Sequence, residues 1–214
     1  MHIKIKKTRI AEDGRFAQSK WWGSPDLPAE MDFPQIIDAN GDAWDMTFIC
    51  QINCADLREY NTPLPKEGLL LFFANIDYYL GYNEPEPSME GVWDAQDVRV
   101  IYVAPEQFDT LEQKILIDAD DNPIAIQCRE IELEYSQEDC SGEYNKLFGS
   151  PDGMPWEDWD APCEGWKVLL QVDSDEADDY NLQFMDEGIM YFLISPDDLS
   201  KANFSHVRGA MISM

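Results

Sequence analysis

Lys20-Trp21-Trp22-Gly23-Ser24-Pro25-Asp26 and Lys146-Leu147-Phe148-Gly149-Ser150-Pro151-Asp152 are two versions of one heptapeptide, identical at five of seven positions and large and apolar at the other two. A match of that kind marks an internal repeat. Downstream, Phe48-Ile49-Cys50-Gln51-Ile52-Asn53 parallels Val168-Leu169-Leu170-Gln171-Val172-Asp173. Seventeen positions after each glutamine stands a glycine, Gly68 and Gly188, preceded by Glu67 and Glu187. Each glycine opens an apolar run, Leu69 to Phe73 in one case and Ile189 to Leu193 in the other. Val98-Arg99 and Val207-Arg208 begin the last apolar segment of each half.

The expected organisation is one globular domain over 1–214, made of two repeats at about 15–105 and 140–214, with a strand and helix connector at 106–139. Between Phe73 and Val98 the first repeat carries a Tyr-, Pro- and acid-rich insertion. Insertions of this kind map to surface loops, where function often sits.

The runs after Gly68 and Gly188 are apolar at consecutive positions, so both faces of those strands should be buried. Gln51 and Gln171 interrupt apolar runs, which predicts one inward polar contact in each strand. Ile131-Glu132-Leu133-Glu134-Tyr135 alternates, as in a half-exposed antiparallel strand. Ser195-Pro196-Asp197-Asp198 carries a capping serine, a first-turn proline and first-turn acids. Further short helices are expected at Pro105 to Lys114 and near Gln137 to Phe148. The fold class is α+β, mainly antiparallel β: an internal duplication of a β-rich module packed with pseudo-twofold symmetry, with few short helices.

The chain has 43 acidic and 15 basic residues, a formal net charge of −28. Such a field repels nucleic acid and anionic membranes and steers basic proteins inward. No apolar stretch is long enough for a membrane helix, and no apolar region of a secretory signal follows the charged stretch at 1–7. Five cysteines, an odd number, fit free thiols in a reducing compartment. A cytoplasmic location is expected.

Enzyme signatures are few. Neither a phosphate-binding glycine loop nor a His-Glu-x-x-His zinc pattern is present. His2, at an end expected to fray, and His206, expected to be structural, are the only histidines. Cys50 and Cys54 lack a second pair at zinc spacing. The acidic run Asp173 to Asp179 lacks the glycine and glutamate of an EF-hand, with Phe184 at the twelfth position. No cofactor and no metal are expected.

Candidate ligand- or partner-binding residues follow from the repeat. Lys20, Asp26 and Gln51 correspond to Lys146, Asp152 and Gln171, and a cleft between modules is a common ligand site. Asp173 and Asp175 open the densest acidic run, Asp173 to Asp179, and supply the candidate carboxylate pair. Trp156 and Trp159, flanked by acids, offer a contact surface for a basic partner.

Lys-x-x-Gly-x-Pro-Asp at 20–26, Phe-Ile-x-Gln-Ile-Asn-x-x-Asp at 48–56, Gly68-Leu69-Leu70, and Leu169 to Asp175 leading to Gly188-Ile189-Met190-Tyr191-Phe192 occur in one order. That order resembles the YwqG-like family of bacterial proteins, a domain of unknown function, over nearly the whole chain. The resemblance implies a bacterial, cytoplasmic, β-rich protein with no agreed activity and no catalytic residues to transfer. It also implies a neighbourhood of polymorphic toxin systems, in which an immunity role would fall.

The leading expectation is a non-catalytic binding protein, an acidic immunity-type or interaction protein for a basic protein partner. The alternatives are a small-molecule sensing domain with its ligand between the repeats, and a carboxylate hydrolase using Asp173 and Asp175.

Overall fold

The computed structural model describes residues 1–11, 15–76, 91–93, 95–138, 144–151, 165–184 and 188–212. In chain order its strands begin with β1 (His2–Ile10), β2 (Lys20–Trp21), β3 (Asp26–Pro28), β4 (Gln35–Ile37), β5 (Ala43–Asp45) and β6 (Thr47–Asn53). Next come β7 (Leu69–Ala74), β8 (Gly91–Val92), β9 (Val98–Val103), β10 (Leu111–Gln113), β11 (Arg129–Ser136) and β12 (Lys146–Phe148). The last are β13 (Lys167–Asp173), β14 (Asp175–Ala177), β15 (Tyr180–Leu182), β16 (Ile189–Ile194) and β17 (Arg208–Ile212). The strand pairs β1–β12, β12–β13, β13–β16, β16–β17 and β6–β7 are all antiparallel, and the fold is mostly antiparallel β.

Two compact units divide the chain. Unit 1 comprises Met1–Lys6, Asn75–Val98 and Leu133–Met214; unit 2 comprises Lys7–Ala74 and Arg99–Glu132. The chain passes from one to the other four times, after Lys6, Ala74, Val98 and Glu132.

In unit 2, β11 pairs with β2 through Arg129 and Glu130, β2 with β6, and β6 with β7. Leu69, Leu71 and Phe73 lie on one face of β7 and pack with Phe48, Leu27, Ile36, Met46, Val103 and Leu111. Leu70, Phe72 and Ala74, on its other face, are buried as well. A run without polar alternation has no solvent side to offer, and the double burial expected of it is found. Each of these leucines and phenylalanines contributes roughly 1.5–3 kcal/mol by leaving water.

Unit 1 orders its strands β8-β17-β16-β13-β12-β1. Its core gathers Val168, Ile189, Tyr191, Leu193, Ala210 and Ile212, with Trp166 against them. All six residues of β16 are buried, as the consecutive apolar run requires.

The two glutamine-bearing strands share a detailed register. In unit 2, Gln51 faces Lys20 on one side and Leu71 on the other, with a bulge between Phe48 and Cys50. In unit 1, Gln171 faces Lys146 and Tyr191, with a bulge between Val168 and Leu170. The turn after each short strand uses the left-handed region, at Trp22 (φ 56°) and Gly23 (φ 82°) and again at Phe148 (φ 61°) and Gly149 (φ 84°). A bulky aromatic residue there is a genuine outlier that surrounding packing must enforce.

The helix expected at Ser195 is present as α1 (Pro196–Ser200), with the Ser195 hydroxyl accepting from the Asp198 amide at 3.0 Å. The helix expected from Pro105 to Lys114 is instead a 3₁₀ turn over Pro105–Thr110 followed by β10. Leu111 enters the unit 2 core, and Leu111, Glu112 and Gln113 pair with β3. Tertiary pairing overrides a local helical signal here. The helix expected near Gln137 to Phe148 is also corrected: Lys146–Phe148 is a strand held between β1 and β13, and residues 139–143 lie outside the described residues. Of the insertion between Phe73 and Val98, Gly91 and Val92 form β8 and pair with Met211 and Ala210.

Candidate functional site

Lys20, Asp26 and Gln51 meet in unit 2, all at 0% exposure. Register puts Lys20 opposite Gln51, and the left-handed turn at Trp22 and Gly23 swings the chain round so that Asp26 reaches both. That turn demands glycine at position 23, since a Cβ there would stand 2.7 Å from the Cβ of Cys128. Lys20 Nζ donates to Asp26 Oδ2 at 3.1 Å, Gln51 Nε2 to the same oxygen at 2.6 Å, and the Ala17 amide to it at 2.7 Å. Gln51 Oε1 accepts from the Asp26 amide at 3.2 Å, and Gln51 Nε2 also donates to the Gln18 carbonyl at 2.8 Å.

A buried ammonium needs a counter-charge and hydrogen bonds to stay in the interior. Burial pushes the Lys20 ammonium below its ordinary pKa, and the Asp26 carboxylate opposes that shift. Asp26 Oδ1 is buried without a hydrogen-bond partner. The cluster thus ties β2, β6 and the segment from Ala17 to Asp26 together, with Asp26 Oδ2 fully engaged.

In unit 1, Lys146 and Gln171 are likewise fully buried and cross-strand neighbours. Lys146 Nζ donates to the Ser150 carbonyl at 2.8 Å and lies 5.4 Å from the Tyr144 ring centre. Gln171 Nε2 donates to the Tyr144 carbonyl at 2.9 Å. Asp152, Trp156 and Trp159 lie outside the described residues.

Asp173 closes β13, half-buried, its amide donating to Asn145 Oδ1 at 3.0 Å. Asp175 opens β14 and accepts a hydrogen bond from the Tyr180 hydroxyl. His2 is buried rather than frayed, with Nδ1 2.8 Å from the Glu138 carbonyl oxygen. His206 is exposed, with Nδ1 3.4 Å from Asp198 Oδ1. Cys50, Cys54 and Cys128 are buried free thiols; burial drives the Cys50 thiol well above its ordinary pKa and the Cys54 thiol up to about 12. Among the described residues no three His, Cys, Asp or Glu side chains gather as a metal site.

A second, shorter sequence echo lies within unit 2. Ile37-Asp38-Ala39-Asn40-Gly41-Asp42 and Ile117-Asp118-Ala119-Asp120-Asp121-Asn122 fold alike. Asp38 Oδ1 accepts from the Asn40 and Asp42 amides at 2.8 and 2.9 Å. Asp118 Oδ1 accepts from the Asp120 and Asn122 amides at the same two distances. These aspartate-closed loops tip two hairpins of unit 2, each with an exposed isoleucine just before the aspartate. The shared Ile-Asp-Ala triplet is the signal that finds them.

Residues 19–211 match the family model described as Domain of unknown function (DUF1963). No curated protein matches the chain. Among the described residues no helix is long and apolar enough to cross a membrane.

Proposed function

The chain belongs to the DUF1963 family, a domain of unknown function, and from that premise we propose that it is a non-catalytic binding protein whose acidic surface receives a basic protein partner. The observation that carries this reading is the charge, 43 acidic against 15 basic residues. The interior supports it. Lys20, Asp26 and Gln51, the polar group that looks most like chemistry in the sequence, are shut from solvent and bonded to one another through Asp26 Oδ2. Catalysis needs a group within hydrogen-bond reach of a substrate.

The same proposal includes descent by duplication. Its support is the common register of Lys20 with Gln51 and Lys146 with Gln171, the bulge centred two residues before each glutamine, and the paired left-handed turns. It also includes kinship with YwqG-like proteins, a cytoplasmic location and an immunity-type role, for which the ordered motifs and the free thiols speak.

Affinity capture of the tagged protein from host lysate at low salt, with stepwise salt elution, tests the reading. A stoichiometric basic protein released at moderate salt is expected, because exposed charges are screened within about 10 Å at 0.1 M. A partner that is acidic, or one held equally well at high salt, would overturn it.

A further inference from the structure

We propose that the hairpin of residues 114–126 is the docking surface for a basic, aliphatic-rich strand of the partner protein. The inference deepens the acidic-binding reading and rests on it.

The hairpin is pinned at its base. The Lys114 amide donates to the Pro25 carbonyl at 2.9 Å, and the Gly23 amide to the Ile126 carbonyl at 2.9 Å. Further out, Ile117 bridges Pro123, and the Ile124 amide donates to the Leu116 carbonyl at 3.1 Å. The tip is closed by Asp118, whose amide donates to the Asn122 carbonyl at 2.8 Å. A surface built on fixed backbone loses little freedom when a partner binds.

Alternation outward from the isolated Ile117–Pro123 bridge puts Ile115 and Ile117 on one face with Pro123, and Ile124 on the reverse beside Leu116. Ile115, Ile117 and Ile124 are 52%, 55% and 47% exposed. Single exposed isoleucines need no explanation, but Ile115 and Ile117 stand side by side on one face, and that adjoining apolar pair is the surface a partner's aliphatic side chains would cover. Asp118, Asp120 and Asp121 stand at the tip, all exposed, and form no ion pair among the described residues. Backbone amides hold the Asp118 carboxyl below the usual carboxylate range, so it stays charged.

Apolar side chains at alternate positions beside a cluster of negative charge fit a strand that alternates aliphatic and basic residues. The spacing of Ile115 and Ile117, about 7 Å for two residues of strand, accepts side chains of that same period. Anionic membranes and nucleic acid carry the wrong charge for this tip.

The probe is the synthetic heptapeptide Lys-Val-Lys-Val-Lys-Val-Lys, with Lys-Gly-Lys-Gly-Lys-Gly-Lys as a control of equal charge, titrated calorimetrically at low salt. The valine peptide is expected to bind the intact protein more tightly than the glycine peptide. An Ile115→Ser/Ile117→Ser variant should bind it about tenfold more weakly or worse, a loss of about 1.4 kcal/mol. An Asp120→Asn/Asp121→Asn variant, altered only at the exposed tip, should lose affinity for both peptides. If both peptides bind in a salt-sensitive way and neither variant weakens them, the hairpin assignment is overturned while the charge reading stands. If neither peptide binds at low salt, both are overturned.

Discussion

Lys20 and Asp26 form an ion pair across 3.1 Å with both side chains fully shut from solvent. Breaking such a pair from one side leaves a charge stranded in the interior, which is costlier than never having had it. Lys20→Met should therefore destabilise the protein by about 3–5 kcal/mol. Adding Asp26→Asn to it should restore part of the loss, since the stranded carboxylate is then gone and Gln51 keeps a partner. Urea unfolding of the two single variants and the double closes the cycle; additive effects would show the two groups to be independent.

Gly68 and Gly41 both hold positive φ, at 100° and 91°, yet they should tolerate alanine very differently. A Cβ on Gly68 would stand 2.5 Å from a ring carbon of Tyr102 and 2.7 Å from the Val103 carbonyl, whereas on Gly41 it meets nothing within 4 Å. Gly41→Ala should cost about 1–2 kcal/mol of backbone strain. Gly68→Ala should exceed that clearly, because β7 and β9 must also part. Thermal unfolding of the pair settles the ranking.

Asp38 and Asp118 have carboxyls lowered below the ordinary range chiefly by backbone amides, from Asp42 and Asn122 respectively. A carboxyl with a depressed folded pKa adds stability above its unfolded value and loses it as pH falls through the folded one. The two hairpin tips should stay closed through mildly acidic pH and loosen only below the usual aspartate range. Carbon-detected NMR titration of the two carboxyls gives the midpoints directly. Midpoints at or above the ordinary value would contradict the loop geometry.

Cys50, Cys54 and Cys128 should resist an aromatic disulfide reagent at pH 8 in the folded protein and react on unfolding. Buried thiols with raised pKa values present almost no thiolate. Peptide mapping after labelling identifies which sites react. Fast labelling of any of the three in the native state would show that its segment opens readily.

Patterns confined to one strand or one turn were legible before the structure. The buried runs of β7 and β16 and the Ser195 cap are local, and each follows from a few adjacent residues. Leu111 was misread because its local context, Pro105-Glu106-Gln107, favours a helix while its burial depends on Leu27, far away in sequence. Lys20 reads as a contact for a ligand because a lysine in the interior needs Asp26 and Gln51 around it, and the pairing of β2 with β6 and the turn at Trp22 that bring them there leave no local signal. The pairing of β8 with β17 has no local signature at all. The aspartate-closed hairpins were written plainly in Ile-Asp-Ala, but the triplet is short and was hidden by the longer repeat.

The seating of β8 on β17 orders events during synthesis. The ribosome makes Gly91 and Val92 long before Ala210 and Met211, so β8 emerges with no partner. His2 to Lys4 wait in the same way for Lys146 to Phe148. Unit 1 can close only once the far end of the chain is free, whereas all of unit 2 has been translated by Glu132. A nascent chain that stalls between these points exposes unpaired strand edges, the condition under which chains pair wrongly with one another.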